Sequence, residues 1–245
     1  MMKNELRAEM FPLGESGILI EFGKEIHPDI HRKIKTLAKY LDEYPFTGMT
    51  EYVLSFTSIT VFYNPIEVRK IKRDSEKGKL SYEIVEGILE GILSKLNDSG
   101  NTRARVVEIP VCYGGDFGPD LEYVAEYNKI TVDEVIKIHS SAEYLVYMIG
   151  FAPGFPYLGG MSEKIETPRR KTPRTLIPPG TVGIAGMQTG VYPIGTPGGW
   201  QLIGSTPLEL FRPNECPPSL LQSGDIIRFC PISFSEYEQY RREQQ

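Results

Sequence analysis

The sequence is poor in the residues that metal centres and disulfide frameworks need, with three cysteines and three histidines in 245 residues. An odd number of widely separated cysteines argues against a disulfide framework and against a Cys-x-x-Cys site, so we expect small, buried apolar cysteines. They are Cys112, Cys216 and Cys230. His27 and His31 stand four residues apart, but no second ligand cluster accompanies them. The sequence therefore predicts no metal site.

Long apolar runs and an excess of positive charge are also missing. No stretch of about 18 consecutive apolar residues occurs, as a membrane span requires, and the first residues lack the apolar segment of a signal peptide. The formal net charge is -5, and mixed charges of this kind give no field that would hold a nucleic acid. We therefore expect a cytoplasmic protein that binds neither membrane nor nucleic acid.

Local motifs of the common enzyme classes are absent as well. Lys171 and Thr172 resemble the end of a phosphate-binding loop, but the glycines of that motif are missing. Ser205 has Ile203 two positions before it, which excludes a nucleophile elbow. No carboxylate pair suited to glycosidase chemistry stands between residues 150 and 214. Nothing in the sequence by itself indicates a complete active site.

The first hundred residues combine short apolar strands with two helical segments. Apolar residues recur at three- and four-residue spacing over 28–44 and over 81–96, which predicts two amphipathic helices. Strands are predicted at 18–22, 51–56, 59–63 and 105–111. The resulting order is β-α-β-β-α-β, and we therefore expect a ferredoxin-like α/β domain over residues 1–100.

The remaining residues, 101–245, have a different texture. Thr131 and Glu134 form a capping box that predicts one helix over 132–139, and no helix is expected after it. Half of the 24 glycines lie between residues 150 and 204, interleaved with prolines that interrupt helices and long strands. Short apolar runs survive at 144–149, 181–185, 200–203 and 226–229. The chain is therefore expected to be α+β, with a β-barrel as its C-terminal domain.

A basic loop stiffened by prolines is the first candidate for ligand binding. It carries Arg169, Arg170, Lys171 and Arg174 in an otherwise acidic protein. The planar guanidinium group pairs with two oxygens of a carboxylate or phosphate, so a rigid loop that presents several could bind a small anion. The alternative is a basic loop that is simply solvated.

Aromatic and amide residues surround this loop in the sequence and resemble the lining of a ligand pocket. They are Phe151, Phe155, Tyr157, Tyr192, Trp200, Gln188 and Gln201. The alternative for each ring is ordinary filling of the core. His139 is a candidate for proton transfer because its ordinary pKa lies near neutrality, and the alternative is a structural histidine at a helix end.

Several long motifs in one order resemble the 5-oxoprolinase B-subunit family, also known as KipI and as allophanate hydrolase subunit 1. The motifs are GFAPGFPYLGG (150–160), PRRKTPR (168–174), PPGTVGIAGMQTGVYPIGTPGGWQLIGSTPLELF (178–211) and SGDIIRFCPI (223–232). The resemblance extends through EIPVCYGGDFGPDLEYVA (108–125) and more weakly through PLGESGILIEF (12–22). It implies a ferredoxin-like N-terminal domain and a cyclophilin-like C-terminal barrel.

The resemblance also implies a role within an assembly. The B-subunit would work with two others, the A-subunit plus the KipA-like C-subunit, to convert 5-oxoproline to glutamate. The complex would consume ATP, and this chain would be inactive alone. On this interpretation His139, Arg169 and Arg174 are catalytic. The substrate would be bound by Arg170, Phe155, Tyr157, Gln188, Tyr192, Trp200 and Gln201.

Two other roles are implied by the same resemblance. One is inhibition of a sporulation sensor histidine kinase, with the kinase as partner, and the other is carboxyl transfer in a module related to urea carboxylase. Fold and motif do not separate these functions.

Overall fold

The computed structural model describes residues 8–71, 78–96 and 104–243. The chain divides into two compact units, Met1–Arg103 and Ala104–Gln245. The predicted domain boundary at residue 100 lies outside the described residues. Among the described helices, none combines the length and the apolar character that crossing a membrane would demand.

The N-terminal unit is a four-stranded antiparallel sheet packed on helices. Its elements are β1 (Glu9–Leu13), β2 (Gly17–Glu21), α1 (Pro28–Glu43), β3 (Met49–Leu54), β4 (Ser58–Tyr63), α2 (Pro65–Lys70) and α3 (Ser81–Leu93). Alternate residues of β2 and β4, such as Ile18, Ile20 and Val61, are buried against the apolar faces of α1 and α3. The apolar residues that alternate along the strands and those that recur along one helix face thus pack together in one core.

The strand predicted at 105–111 forms, but it does not complete this sheet. It is β5 (Val106–Tyr113), and it pairs within the C-terminal unit. Its expected place beside β2 is taken by β1, which was not predicted, in the order β1-β2-β4-β3. The physical reason is local: a hairpin from β1 to β2 closes a much shorter loop than a strand that arrives after α3.

The C-terminal unit is built on a seven-stranded, nearly closed sheet in the order β10-β9-β12-β5-β13-β6-β7. Its outer strands β7 and β10 lie against each other, and β8 pairs with β11 as a separate ribbon. The strands are β5, β6 (Tyr144–Ile149), β7 (Pro156–Gly159), β8 (Arg174–Ile177), β9 (Thr181–Ala185), β10 (Gln188–Val191), β11 (Thr196–Gly198), β12 (Gln201–Ser205) and β13 (Ile226–Pro231). The predicted α+β class, with a ferredoxin-like unit followed by a barrel, is confirmed.

Three α-helices and a short 3-10 helix (Glu163–Ile165) accompany this sheet. The predicted capping box opens α5 (Val132–Ser141), where the Thr131 hydroxyl accepts the Glu134 N–H and the Glu134 carboxylate accepts the Thr131 N–H. The other two helices are α4 (Leu121–Asn128) and α6 (Phe234–Glu243). Neither was predicted, and the expectation of no helix after α5 was wrong, because α6 forms at a polar stretch with little apolar periodicity.

The cysteines, and the histidine that begins α1, have ordinary structural places. His27 caps α1 by accepting the Asp29 N–H on its Nδ1 at 3.2 Å. Cys112 is buried as expected, whereas Cys216 is exposed and Cys230 is half-buried. The prediction of three buried cysteines is therefore confirmed for Cys112, wrong for Cys216 and only partly met by Cys230.

Candidate functional site

Two arginines of the basic loop are tied to one buried carboxylate. Arg170 Nη1 and Arg174 Nη2 each donate to Asp120 Oδ1 at 2.9 Å. The other oxygen of Asp120 accepts the Leu202 N–H at 2.7 Å. Asp120 is buried, so a charge at this place needs these donors to be tolerated. The carboxylate thereby fixes the loop to the strand that carries Leu202.

The position of Asp120 follows from the start of α4 and the course of β12. Asp120 is the N-cap residue of α4, and its own N–H donates to the Leu202 carbonyl at 2.9 Å. A carboxylate at a helix N-terminus is favoured by the helix dipole. Helix start, strand and arginine loop therefore converge on one side chain.

One terminal nitrogen of the Arg174 guanidinium group has no hydrogen-bond partner among the described residues. Its Nη1 is buried and donates to no acceptor in the part of the chain that the structure describes. A buried, charged donor without an acceptor is costly and calls for one from outside the chain, such as water or an anion. Because Asp120 holds Nη2, the guanidinium has a fixed position at the edge of the barrel unit.

Arg174 lies at the wall of a cavity of about 1020 Å³ in the C-terminal unit. The polar residues of the lining are Asp116, Arg174, Thr181, Ser205, Thr206, Glu209, Tyr237 and Arg241. Leu202, Phe117, Phe211 and several prolines form its apolar walls. A concave site of this size with few charged groups suits a small polar molecule.

Helix α6 closes one side of this cavity. Its Tyr237 packs on Phe117, with ring centroids 4.3 Å apart, and the Tyr237 hydroxyl lies 3.4 Å from Ser205 Oγ. Arg241, one turn further along the helix, gives the cavity a second cation. Asp120, Tyr237 and Arg241 were not predicted as site residues, because no local motif marks residues that meet only through the fold.

The predicted aromatic residues form a separate apolar cluster. Phe155, Tyr192 and Trp200 are buried together with Ile177, Ala185 and Leu202. The centroid of the Phe155 ring lies 5.7 Å from those of Tyr192 and Trp200, in edge-to-face contacts. Half-buried Tyr157 meets Phe155 in the same manner. These rings do not line the cavity, and their placement is that of core residues.

The arginine loop nevertheless lies against this cluster. The Arg170 N–H donates to the Gly199 carbonyl at 2.7 Å, and Gln201 Nε2 donates to the Pro168 carbonyl at 2.8 Å. Burial raises the pKa of Tyr192 to about 12, and the charges of Arg169 and Arg174 oppose the rise. Gln201 therefore holds the loop in place, while Gln188 is half-buried at the start of β10, outside the cavity lining.

His139 lies in the barrel core, away from the cavity lining. The Thr189 hydroxyl donates to the Gly183 carbonyl at 3.0 Å, so it accepts from His139 Nε2, 2.9 Å away. The other nitrogen, Nδ1, then accepts from the Tyr113 hydroxyl at 2.7 Å. Burial lowers the pKa of His139 to about 3. Both nitrogens are occupied and the charged form is disfavoured, which is the environment of a structural histidine rather than of a proton donor.

The described residues contain no group of three or more histidine, cysteine, aspartate or glutamate side chains arranged to hold a metal ion. The cavity therefore relies on guanidinium, carboxylate and hydroxyl groups. Such a set can bind and orient a small anion, but it presents no activated nucleophile.

The fold and the site together define a two-unit α+β protein whose barrel carries an arginine-edged cavity of small-molecule size. Residues 8–221 match the family described as Carboxyltransferase domain, subdomain C and D. The chain belongs to this family and, within it, to the group of proteins named as the B-subunit of 5-oxoprolinase. The resemblance found in the sequence motifs is thus confirmed.

Three relatives illustrate the relationship. The protein of Bacillus subtilis named as the 5-oxoprolinase B-subunit is 51% identical over 97% of this chain and 98% of its own length. The structure of a conserved uncharacterized protein from Pyrococcus horikoshii is 43% identical, covers 94% of this chain and 100% of that chain, and has a TM-score of 0.53. Kluyveromyces lactis urea carboxylase is 19% identical, with 95% of this chain and 22% of that chain covered and a TM-score of 0.72; it shares the fold.

Proposed function

We propose that this chain is the B-subunit of a bacterial ATP-dependent 5-oxoprolinase, a hydrolase complex that opens 5-oxoproline to glutamate with the help of its A- and C-subunits. The near full-length identity of 51% to the Bacillus subtilis protein of that name supports the assignment. The chain is a component of the complex and is inactive alone. ATP is consumed by the complex, and the location is cytoplasmic.

The task proposed for this chain is to bind the substrate carboxylate. The observation that carries this role is the guanidinium of Arg174, which Asp120 holds by Nη2 while Nη1 is left without an acceptor. 5-Oxoproline bears one carboxylate and an uncharged lactam ring, so one guanidinium suffices to orient it. A cation fixed before the substrate arrives needs little reorganisation, which favours binding of the anion.

No proton transfer is assigned to this chain. The buried, fully hydrogen-bonded state of His139 argues against the catalytic role expected from the sequence. Arg169 is exposed, and its proposed contribution is to add positive charge to the arginine loop. Activation of the lactam and its hydrolysis are assigned to the other components of the complex.

The two other roles implied by the family stay predictions. Inhibition of a histidine kinase rests on the family resemblance. Carboxyl transfer is supported by the description of the matching family, Carboxyltransferase domain, subdomain C and D, and by the fold likeness to urea carboxylase.

A reconstitution assay tests the proposed function. This chain and its A- and C-subunits are purified separately, and glutamate formation from 5-oxoproline and ATP is measured for the full set and for each omission. We expect glutamate only from the full set. Unchanged glutamate formation without this chain would refute the proposal, and activity of this chain alone would refute the claim that it is inactive by itself.

A further inference from the structure

Two buried hydroxyl groups, one from β12 and one from α6, meet in the lining of the cavity beside Arg174. Ser205 Oγ and the Tyr237 hydroxyl oxygen lie 3.4 Å apart, and both residues are buried; together they are called the hydroxyl pair. Hydrogen bonds between hydroxyl groups are normally about 2.5–3.0 Å long, so this one is weak. Neither hydroxyl has another hydrogen-bond partner among the described residues. Because buried polar groups are normally well paired, the hydroxyl pair has capacity for a polar group from outside the chain.

The other polar side chains of the lining, apart from Arg174, are already paired or solvated. The Thr181 hydroxyl donates to the Pro178 carbonyl at 2.7 Å, and the Thr206 hydroxyl accepts the Leu208 N–H at 3.3 Å. The remaining charged side chains of the lining are exposed to solvent, and they are Asp116, Glu209 and Arg241. Among the described uncharged side chains of the lining, incomplete hydrogen bonding is thus confined to the hydroxyl pair.

A β-bulge in β12 brings Ser205 to the cavity. Leu202 lies opposite Gly183 of β9, whereas Gly204 lies opposite the adjacent residue Val182, so β12 carries one extra residue here. In a regular strand Leu202 and Ser205, three positions apart, would point to opposite faces of the sheet. The extra residue offsets this alternation, and both residues line the cavity. Bulges re-aim side chains in this way beside functional sites.

One small molecule can contact both Arg174 and the hydroxyl pair. Asp120, which holds Arg174, also accepts the Leu202 N–H, and Ser205 follows three residues further along β12. A strand rises about 3.3 Å per residue, so at most about 10 Å of strand separates the two positions. A five-membered ring that carries a carboxylate on one side and hydrogen-bonding groups on the other has a suitable size.

The hydroxyl pair matches the amide edge of a lactam. In a five-membered lactam the N–H and the C=O lie on the same edge, and standard bond lengths place their N and O atoms about 2.3 Å apart. Each hydroxyl group can donate one hydrogen bond and accept others. Two neighbouring hydroxyl groups can therefore serve the lactam at once, one as the acceptor of the N–H and the other as the donor to the carbonyl.

We propose that the hydroxyl pair determines specificity for the lactam of 5-oxoproline: Ser205 Oγ accepts the ring N–H, and the Tyr237 hydroxyl donates to the ring carbonyl. The inference rests on the proposed function, in which Arg174 binds the carboxylate of the same molecule. Tyr237 is assigned as the donor because a phenol hydroxyl is more acidic than an alkyl hydroxyl.

The test compares 5-oxoproline with its lactone isostere, in which a ring oxygen replaces the N–H. Binding of each compound to a mixture of this chain with its A- and C-subunits is measured by isothermal titration calorimetry without ATP. The variants are Ser205→Ala and Tyr237→Phe, each of which removes one hydroxyl group and keeps the rest of the side chain. The matched control is Tyr240→Phe, since Tyr240 is an exposed tyrosine of the same helix outside the cavity lining.

The wild type should bind 5-oxoproline at least about tenfold more tightly than the lactone, because a site built to accept an N–H discriminates against an analogue that lacks it. Ser205→Ala should weaken binding of 5-oxoproline at least about fivefold but leave binding of the lactone unchanged, so that the preference falls below about threefold. Tyr237→Phe should weaken binding of both compounds about equally, since both carry the ring carbonyl. Tyr240→Phe should change neither affinity.

Equal binding of the two compounds by the wild type would overturn the inference, and so would a Ser205→Ala variant that keeps the preference. Unchanged affinities in Tyr237→Phe, or no binding of 5-oxoproline by the wild-type mixture, would overturn it as well. The proposed function fails by a different result, which is glutamate formation without this chain in the omission assay. If this chain is required in that assay but the preference does not depend on Ser205, only the specificity assignment is refuted.

Discussion

Asp120 organises the candidate site at the level of single residues. Its two oxygens accept hydrogen bonds from Arg170, Arg174 and the Leu202 N–H. Removing such a buried carboxylate would leave guanidinium groups close together without their shared partner. The arrangement explains how a loop with several like charges keeps one fixed conformation.

Substitution of Arg174 should affect substrate binding more than turnover. In the reconstituted complex, Arg174→Met is expected to raise KM for 5-oxoproline about tenfold to a hundredfold, because a charge-assisted hydrogen bond contributes about 1.5–3 kcal/mol. Initial rates of glutamate formation measure this change. The control is Arg228→Met, which removes an exposed pair with Glu143 outside the cavity lining and should leave KM unchanged. An unaltered KM in Arg174→Met would remove Arg174 from the site.

His139 should make the C-terminal unit sensitive to acid. Its pKa is about 3 in the folded chain against an ordinary 6.5, so between these values the unfolded chain binds one more proton. The free energy of unfolding should therefore fall by up to about 1.4 kcal/mol per pH unit as the pH drops below about 6.5, and this contribution is constant above that pH.

The measurement is urea unfolding followed by Trp200 fluorescence between pH 7.5 and 5, for the wild type and for His139→Gln. The variant should be less stable at neutral pH but should lose less stability on acidification. Parallel pH dependences for the two proteins would contradict the assigned protonation state.

At the level of elements, the β8–β11 ribbon is joined to the aromatic cluster at Gly198. A Cβ at this position would lie 2.5 Å from the Tyr192 hydroxyl oxygen and 2.6 Å from Ile177 Cδ1. Tyr192 and Ile177 are both buried, so neither can withdraw easily. The close approach of strand and ring therefore requires glycine.

Two glycine-to-alanine variants should have opposite effects on stability. Gly198→Ala is expected to destabilise the protein by about 1–3 kcal/mol through overpacking. Gly87→Ala lies within α3, where no atom is within 4 Å of the added Cβ, and should stabilise it by about 0.5–1 kcal/mol. Differential scanning calorimetry detects the unfolding of both units, and it compares the melting temperatures of the two variants with that of the wild type. A tolerated Gly198→Ala would contradict the tight packing.

Secondary structure with a local cause was predictable from the sequence. The Thr131–Glu134 capping box and the apolar periodicity over 28–44 both predicted helices that form, as α5 and α1. The hairpin strand β1 and the polar helix α6 were missed, because neither has a strong periodic pattern. The strand at 105–111 was predicted, but the strands with which it pairs were not.

At the level of the whole molecule, the chain matches nearly all of its Bacillus subtilis relative. Its cavity can hold an anion but offers no activated nucleophile. In the proposed function this chain binds and positions the substrate, and the chemical step is assigned to the assembly. The omission assay tests that conclusion directly.

The sequence by itself determined the fold class, the family and the presence of an arginine loop, because periodicity, capping and long motifs are properties of neighbouring residues. Only the tertiary structure decided which of those residues share a site. Asp120 and Leu202, 82 residues apart, meet because a helix start packs on a strand. His139 is removed from the cavity by burial among Tyr113, Thr189 and Phe229, since contacts between distant segments leave no local pattern.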